Sequence, residues 1–398
     1  MSLIKLKHND GFKWYHHDKK LFVKGYLIKN GMKLEDRELI SFFKGIKKNE
    51  ELQEALRETS GLYAVIIQTP QTTLIAVDKV RTFPVFYSFA EDQAIISDQV
   101  DLLIQEKGQA LINETSVFEF LTTGFVSGSE TLVNDICQVQ AGEIIEISGN
   151  KPSSYIYHNY STPIVFNDSY QSLKKRLNDT LYTIFDRLSR KLNGRTAVIP
   201  LSGGFDSRLM VAMLKNTGYN NIICFTYGRK NNREKKIAEK TASQLNVKWY
   251  FIEYNEELIK DYIHDPLFQQ YYKYSSNYTS MFFMQEYFAV KYLKDHSLIP
   301  GDSVFLPGHS ADFLAGSHLR DFPEKELNHQ QLTHKIFNKY YNLLLAKSEI
   351  ANILKQKINH WLTKTFDDKI FGYSVYDDWN FKERQSKFIV NSCNIYRF

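Results

Sequence analysis

The segment Ser202-Gly203-Gly204-Phe205-Asp206-Ser207 combines residue types that can hold a phosphate and a metal ion. Glycine lets backbone N–H groups approach an anion closely, so the two adjacent glycines favour a phosphate cradle. An aspartate inside such a cradle repels phosphate unless a cation lies between them, which predicts Asp206 to be a Mg²⁺ ligand beside a nucleotide. An ordinary tight turn is the alternative interpretation. The pattern G-x-x-x-x-G-K-[ST] of another phosphate-binding loop does not occur in the chain.

The sequence around this segment predicts the elements that position it. Strands and helices are predicted to alternate, at 196–201, 207–216, 222–227, 233–245 and 247–252. The glycine segment therefore follows a buried strand and opens a helix, whose positive N-terminal end favours an anion. The alternation predicts an α/β fold, a parallel sheet with helices on both faces. Ligands bind at the carboxyl ends of such strands, where Thr226 and Gly228 also lie.

The front half shows a different sequence pattern, in which short apolar runs are separated by turn residues. Strands are predicted at 25–28, 61–68, 72–77, 85–89 and 94–96, and helices at 35–47 and 116–122. These elements predict a sheet-rich α+β domain over residues 1–150. Residues 151–168 show little periodicity and are predicted to be a linker. A second domain is predicted over 169–398, beginning with a long helix at 169–192 and containing a late strand at 303–306.

Composition and charge exclude several classes of protein. The net charge of +5 comes from scattered lysines, which gives no argument for nucleic acid binding. The three cysteines lie far apart, so neither a disulfide framework nor a zinc site is indicated. No apolar run is long enough to cross a membrane and no signal peptide is recognisable, which makes the cytoplasm the expected location.

The pattern S-G-G-x-D-S resembles the loop of ATP pyrophosphatases, and nearly the whole chain resembles the asparagine synthetase family. A later segment, Pro307-Gly308-His309-Ser310-Ala311-Asp312, resembles that family's S-G-E-G-x-D-E. The resemblance implies an adenine-nucleotide hydrolase-like fold for 169–398, with Mg²⁺ held by Asp206 and Asp312. A plain loop aspartate is the alternative for Asp312. The ATP-binding residues implied by the resemblance are Leu201, Ser202, Gly203, Gly204, Asp206, Ser207, Thr226, Gly228 and Gly308.

The front half resembles the glutamine amidotransferase domain of the same family, an α+β sandwich of the N-terminal nucleophile hydrolase type. The resembling segments are Gly61–Ala64, Asp78–Arg81, Ile96–Asp98, Phe120–Gly124 and Ala141–Glu143. The family's glutaminase uses an N-terminal cysteine as its nucleophile. Ser2 stands at that position here, and no cysteine precedes Cys137. The glutaminase is therefore predicted to be inactive, leaving a structural domain, as the similarity to β-lactam synthetases also suggests.

Three departures from the family pattern affect the expected chemistry. His309 replaces the family's glutamate and Phe313 replaces the glutamate that follows the aspartate. His309 could act as a base toward an incoming amine, or it could be a polar loop residue. The family's pyrophosphate-neutralising lysine lies beyond the position that matches Phe398, and neither Lys382 nor Lys387 matches it. The second domain is therefore expected to lack its C-terminal part; the alternatives are that another cation substitutes for this lysine or that the site cannot carry out the chemistry.

Together these features predict an ATP-dependent ligase that activates a carboxylate as an acyl-adenylate and passes it to nitrogen. The expected substrates are a small-molecule or peptide carboxylate and an amine or ammonia donor, with no glutamine hydrolysed by this chain. Binding to nucleic acid or membrane is not expected, and a homodimer is possible. The alternative is a nucleotide-binding pseudoenzyme or assembly subunit that has lost turnover.

Overall fold

A computed structural model describes residues 2–7, 11–91, 93–160, 166–320, 322, 327–343, 348–365 and 372–390. The chain divides into two compact units. The first comprises Met1–Pro163, Tyr272–Phe282 and Asp321–Phe398, and the second comprises Ile164–Tyr271 and Phe283–Arg320. None of the helices in the described ranges is long and apolar enough to span a bilayer.

The first unit holds two β-sheets in its described part. Their strands are β1 (Leu3–Lys5), β2 (Trp14–His17), β3 (Leu21–Lys29), β4 (Met32–Glu35), β5 (Ser60–Gln68), β6 (Thr72–Val77), β7 (Phe86–Ala90), β8 (Gln93–Ser97), β9 (Ile136–Gln138), β10 (Glu143–Ser148) and β11 (Lys151–Ile156). The larger sheet has the antiparallel order β11-β10-β6-β5-β3-β2, and β4 pairs with β3. The smaller sheet has the order β1-β8-β7-β9, in which β1 and β8 are parallel.

The two sheets share a buried core, as expected for a sandwich. Successive residues of a strand point to opposite faces. Ala64 and Ile66 of β5 lie in one apolar cluster with Tyr87 of β7 and Ile96 of β8. Since the first two residues belong to the larger sheet and the last two to the smaller, the sheets pack face to face.

Helices cover the outer faces of both sheets. The intervening β5 residue Val65 packs with Leu39 of α1 (Asp36–Phe43) and Leu52 of α2 (Asn49–Arg57). On the smaller sheet, Ile95 packs with Leu103 of α3 (Val100–Lys107). The first unit is thus layered helix, sheet, sheet, helix, which confirms the predicted α+β sandwich; its assignment to the N-terminal nucleophile hydrolase type stays a prediction.

The second unit is built on a parallel sheet of the order β14-β13-β12-β15. Its strands are β12 (Ala197–Pro200), β13 (Ile222–Gly228), β14 (Lys248–Glu253) and β15 (Val304–Phe305). Its helices are α5 (Tyr170–Leu192), α6 (Phe205–Asn216), α7 (Arg233–Gln244), α8 (Glu256–Ile263), α9 (Pro266–Ser276), α10 (Met284–Asp295) and α11 (Ala311–Leu314). The division between the two units falls within α9, after Tyr271.

The core of the second unit forms where helices pack on this sheet. Ile199 of β12 and Cys224 of β13 lie in one cluster with Phe185 of α5, Val211 of α6 and Ala238 of α7. This confirms the predicted alternation of parallel strands and helices. The presence of helices on both faces stays a prediction.

The described C-terminal helices pack with the first unit, although the sequence analysis places them in the second domain. They are α12 (His329–Tyr340), α13 (Glu349–Thr365), α14 (Gly372–Asn380) and a π-helix (Phe381–Val390). The carboxylate of Glu119, which lies in α4 (Glu114–Thr123), is fully buried and lies 2.8 Å from the ammonium of Lys357 in α13. The phenol of Tyr341 donates to the same carboxylate at 2.6 Å. Such long-range polar contacts leave no periodic signal in the sequence.

The predicted linker at 151–168 is also corrected in part. Residues Lys151–Ile156 form β11, which pairs antiparallel with β10 over six residues. Its sequence Lys-Pro-Ser-Ser-Tyr-Ile lacks an apolar alternation because it is a half-exposed edge strand. The short strands β1, β2, β4 and β9, together with β10, were not predicted. Part of the predicted linker, 161–165, lies outside the described residues.

Candidate active site

The glycine segment joins the carboxyl end of β12 to the N-terminus of α6. Gly204 is the N-cap of this helix and has extended dihedral angles. Its N–H donates to the Oγ of Ser202 at 3.1 Å, and the Leu201 N–H donates to the carbonyl of Phe225 on β13 at 2.8 Å. Because the first N–H groups of a helix have no partner within the helix, this terminus can bind an anion. The predicted strand, glycine turn and helix are therefore present.

Ser207 braces this turn from within the helix. Its side chain is buried, and its Oγ accepts the N–H of Ser202 at 3.0 Å and lies 3.1 Å from the Ser202 hydroxyl. The hydroxyl groups therefore hold the turn in shape before any ligand enters. The ATP-binding role that the resemblance implies for Ser207 stays a prediction.

Two glycines permit close approaches at this site. A Cβ on Gly203 would lie 3.2 Å from the side chain of Ile237 and 3.4 Å from that of Glu234, both in α7. A Cβ on Gly308 would lie 3.2 Å from the backbone nitrogen of Ser207. The loop after β15 thus runs directly against the first turn of α6. This contact brings the two predicted aspartate segments to the same edge of the sheet.

Asp206 and Asp312 meet at that edge. Asp206 lies half-buried in the first turn of α6, and Asp312 lies exposed on α11, which follows β15. Burial and the charge of Asp312 both raise the pKa of Asp206 above its usual range. Two carboxylates that repel each other are suited to a shared cation, and Mg²⁺ takes one or two carboxylates from protein together with phosphate oxygens and water. Across the described ranges no group of three or more potential ligands gathers, so the pair would need such additional oxygens.

Thr226 and Gly228, two of the ATP-binding residues that the resemblance implies, have structural partners. The buried Thr226 hydroxyl donates to the Leu201 carbonyl at 2.6 Å and accepts from the indole of Trp249 at 2.9 Å, which ties β13 and β14 to the glycine turn. Gly228 has φ +139°, and a Cβ there would lie 2.6 Å from the side-chain nitrogen of Asn232. Both residues therefore shape the strand end; their contact with ATP stays a prediction.

His309 has a buried partner that the sequence analysis missed. Its Nε2 lies 2.9 Å from the Oε1 of Glu286 in α10, and its ring packs at 5.1 Å from that of Phe283. Glu286 is 1% exposed. The available signal was a glutamate on an apolar stripe, since Val290 and Leu293 follow at helical spacing and are also buried.

Three further residues bear on the departures from the family pattern. Phe313 is buried and stacks on His318 at a ring distance of 4.4 Å, so it serves packing. Lys382 and Lys387 are both buried in the first unit, where they pair with Asp378 at 3.0 Å and Glu383 at 2.5 Å. Burial lowers the pKa of Lys387 to about 8, against the opposing effect of Glu383. Each ammonium group is thus held by a carboxylate four residues earlier in the chain.

Part of the chain is similar to known proteins. Residues 192–383 match the family model described as asparagine synthase. The chain is similar to the microcin J25-processing protein McjC of Escherichia coli, with 23% identity over 247 residues, or 60% of this chain and 45% of McjC. It is also similar to 7-cyano-7-deazaguanine synthase of Pseudomonas aeruginosa, with 46% identity over 60 residues, or 14% of this chain and 25% of the synthase. The chain thus spans less than half the length of these curated relatives.

A solved structure is also similar in part. It is the NH3-dependent NAD synthetase of Campylobacter jejuni, with a TM-score of 0.26 and 16% identity, covering 52% of this chain and 93% of the synthetase.

Proposed function

We propose that this chain, whose residues 192–383 match the asparagine synthase family model, is an ATP-dependent ligase that forms an amide through an acyl-adenylate. One observation carries the proposal most directly: Asp206 and Asp312 lie at one edge of a parallel sheet, beside a glycine turn that opens a helix. That edge offers backbone N–H groups for phosphate and carboxylates for a cation, which are the groups that Mg²⁺-ATP requires.

In the first step, a carboxylate oxygen of the substrate attacks the α-phosphorus of ATP, and the bond to pyrophosphate breaks. The backbone around Ser202–Gly204 binds the phosphate chain, and α6 contributes the positive end of its dipole. Asp206 and Asp312 would hold Mg²⁺, which supplies positive charge against the leaving pyrophosphate. The chain's contribution is thus positioning and charge neutralisation.

In the second step, an amine attacks the acyl carbon and AMP leaves. The amine loses a proton, and His309 is the base that we assign to it, because it lies in the loop between β15 and α11, three residues before Asp312. Nitrogen comes from an amine or ammonia, since Ser2 offers no thiol. In the structure its hydroxyl lies 2.9 Å from that of Thr73 and its carbonyl accepts from Gln68.

The substrate class that we propose is a small-molecule or peptide carboxylate. The similarity to McjC, a protein that processes microcin J25, supports this class. The competing function is a nucleotide-binding pseudoenzyme. The packing role of Phe313 and the buried pairing of Lys382 and Lys387 favour it, because they leave fewer groups for transition-state charge.

Pyrophosphate exchange separates the two functions. Labelled pyrophosphate should enter ATP when the protein is supplied with a panel of amino-acid and short-peptide carboxylates. Asp312→Asn should abolish the exchange because it removes one of two carboxylates for the metal ion, and Asp302→Asn, a change at an exposed residue before β15, should not. His309→Ala should keep exchange and slow amide formation, since the base acts after adenylation. Binding of Mg²⁺-ATP without exchange for any carboxylate, in a form that also carries the family's C-terminal segment with its lysine, would favour the pseudoenzyme.

A further inference from the structure

A buried carboxylate points at the proposed base. Glu286 lies in the first turn of α10, and its side chain is 2% exposed, whereas that of His309 is 24% exposed. Burying a charge among apolar groups is unfavourable unless it is paired and hydrogen-bonded. The distance of 2.9 Å between Glu286 Oε1 and His309 Nε2 provides such a bond. The pair is therefore a built feature of the site edge and not a surface contact.

We propose that Glu286 is a positioning residue that holds His309 in one tautomer, with the proton on Nε2. A carboxylate only accepts hydrogen bonds, so the ring nitrogen that faces it must carry hydrogen. A neutral imidazole then has its lone pair on Nδ1, which becomes the basic nitrogen. This inference rests on the proposed ligase function, because that function identifies the proton that Nδ1 takes as one from the incoming amine.

The surroundings of the ring support a fixed orientation. Phe283 precedes α10 and packs against the imidazole with its ring plane inclined by 43°. Phe283 and Glu286 are three residues apart, so one end of α10 supplies both the ring contact and the hydrogen-bond acceptor. If the ring flipped, a carbon would face the buried carboxylate of Glu286 in place of the Nε2–H group. The carboxylate would then lose its hydrogen bond to His309.

The proton balance of the second step follows from this tautomer. When the amine nitrogen bonds to the acyl carbon, its proton moves to Nδ1 of His309, and the ring becomes an imidazolium. Glu286 then faces a positive charge, which strengthens the bond to Nε2–H. AMP departs with the electron pair of the broken acyl–oxygen bond. Glu286 touches neither substrate in this scheme and acts through His309.

The tautomer can be measured without activity. In the full chain labelled with ¹⁵N-histidine, the ring signals of His309 are assigned by their loss in His309→Gln. At the pH of the amide-forming assay the wild-type ring should show Nε2–H and an unprotonated Nδ1. In Glu286→Gln the carboxamide can donate as well as accept, so a population with Nδ1–H should appear. The matched control Glu239→Gln, at an exposed position of α7, should leave the spectrum unchanged.

The kinetic test uses the same variants. Glu286→Gln should slow amide formation by about tenfold or more, as expected when a general base is misplaced, while pyrophosphate exchange stays at the wild-type rate. Glu286→Asp, which keeps the acceptor, should retain more amide formation than Glu286→Gln. A wild-type ring with Nδ1–H, an imidazolium with both protons, or a Glu286→Gln protein with unchanged tautomer and rate would each overturn the proposal.

The outcomes also separate this inference from the proposed function. If the wild-type tautomer is as expected and shifts in Glu286→Gln, yet no protein forms an amide, the positioning of His309 is supported and the ligase function fails. Should Glu286→Gln not fold, the wild-type spectrum alone decides, because the Nε2–H tautomer is required by the proposal.

Discussion

Replacing Asp206 by asparagine should weaken ATP binding when Mg²⁺ is present. The two carboxylates at the sheet edge are solvent-accessible, Asp206 in part and Asp312 largely. The dielectric constant of water therefore gives a lower estimate of the interaction energy between each carboxylate and the metal ion. Unit charges 4 Å apart interact by about 1 kcal/mol in water, and a divalent ion doubles this to about 2 kcal/mol. Since about 1.4 kcal/mol corresponds to a tenfold change, we expect a loss of about 30-fold in affinity.

The sign of the effect should reverse when Mg²⁺ is removed. Without the cation, the carboxylate of Asp206 repels the phosphate chain. Burial and the charge of Asp312 already raise the pKa of Asp206, because both disfavour its negative charge. Asp206→Asn should therefore bind ATP in EDTA as well as the wild-type protein, or better. A metal ligand is the only role for this side chain that predicts opposite signs in the two conditions.

Titration calorimetry measures both affinities directly. The wild-type protein, Asp206→Asn and the control Asp302→Asn are titrated with ATP, first in excess Mg²⁺ and then in EDTA. Asp302 is exposed and precedes β15, so its substitution changes the net charge equally without touching the site. Equal binding of Mg²⁺-ATP by all three proteins, or an equal loss by Asp206→Asn in both conditions, would refute the reasoning.

Two further predictions concern the first unit. Glutamate release from glutamine should stay at background and be unchanged by Ser2→Ala, because no cysteine stands at position 2; release that this substitution abolished would contradict us. Glu119→Gln should lower the free energy of unfolding by about 2 kcal/mol, since it removes the buried partner of Lys357, whose ammonium then keeps only the more exposed Glu130. Burial raises the pKa of Glu119, but Lys357 and the hydrogen bonds lower it further, so the net shift is downward. The difference in the free energy of unfolding between the wild-type protein and Glu119→Gln should thus persist above about pH 4.3 and shrink as the pH falls below it. Denaturant titrations in which this difference does not depend on pH would disprove the prediction.

The sequence by itself determined the local elements of the second unit and the chemistry at their junction. Apolar runs of strand length, a helix-opening glycine pair and the regular alternation of strands and helices are encoded within a few residues of one another. For this reason β12, α6, β13, α7 and β14 appear close to their predicted positions. The family pattern added Asp312, which local periodicity could not connect with Asp206.

Only the tertiary structure decided which distant residues meet. Glu286 lies 23 positions before His309, and although its place on an apolar stripe marks it as buried, nothing in either segment identifies His309 as its partner. The edge strand β11 and the packing of α13 with α4 likewise depend on partners far along the chain. Turn and period signals arise from backbone sterics and neighbouring side chains, whereas such contacts arise when whole elements bury their apolar faces and bring the polar groups on them together.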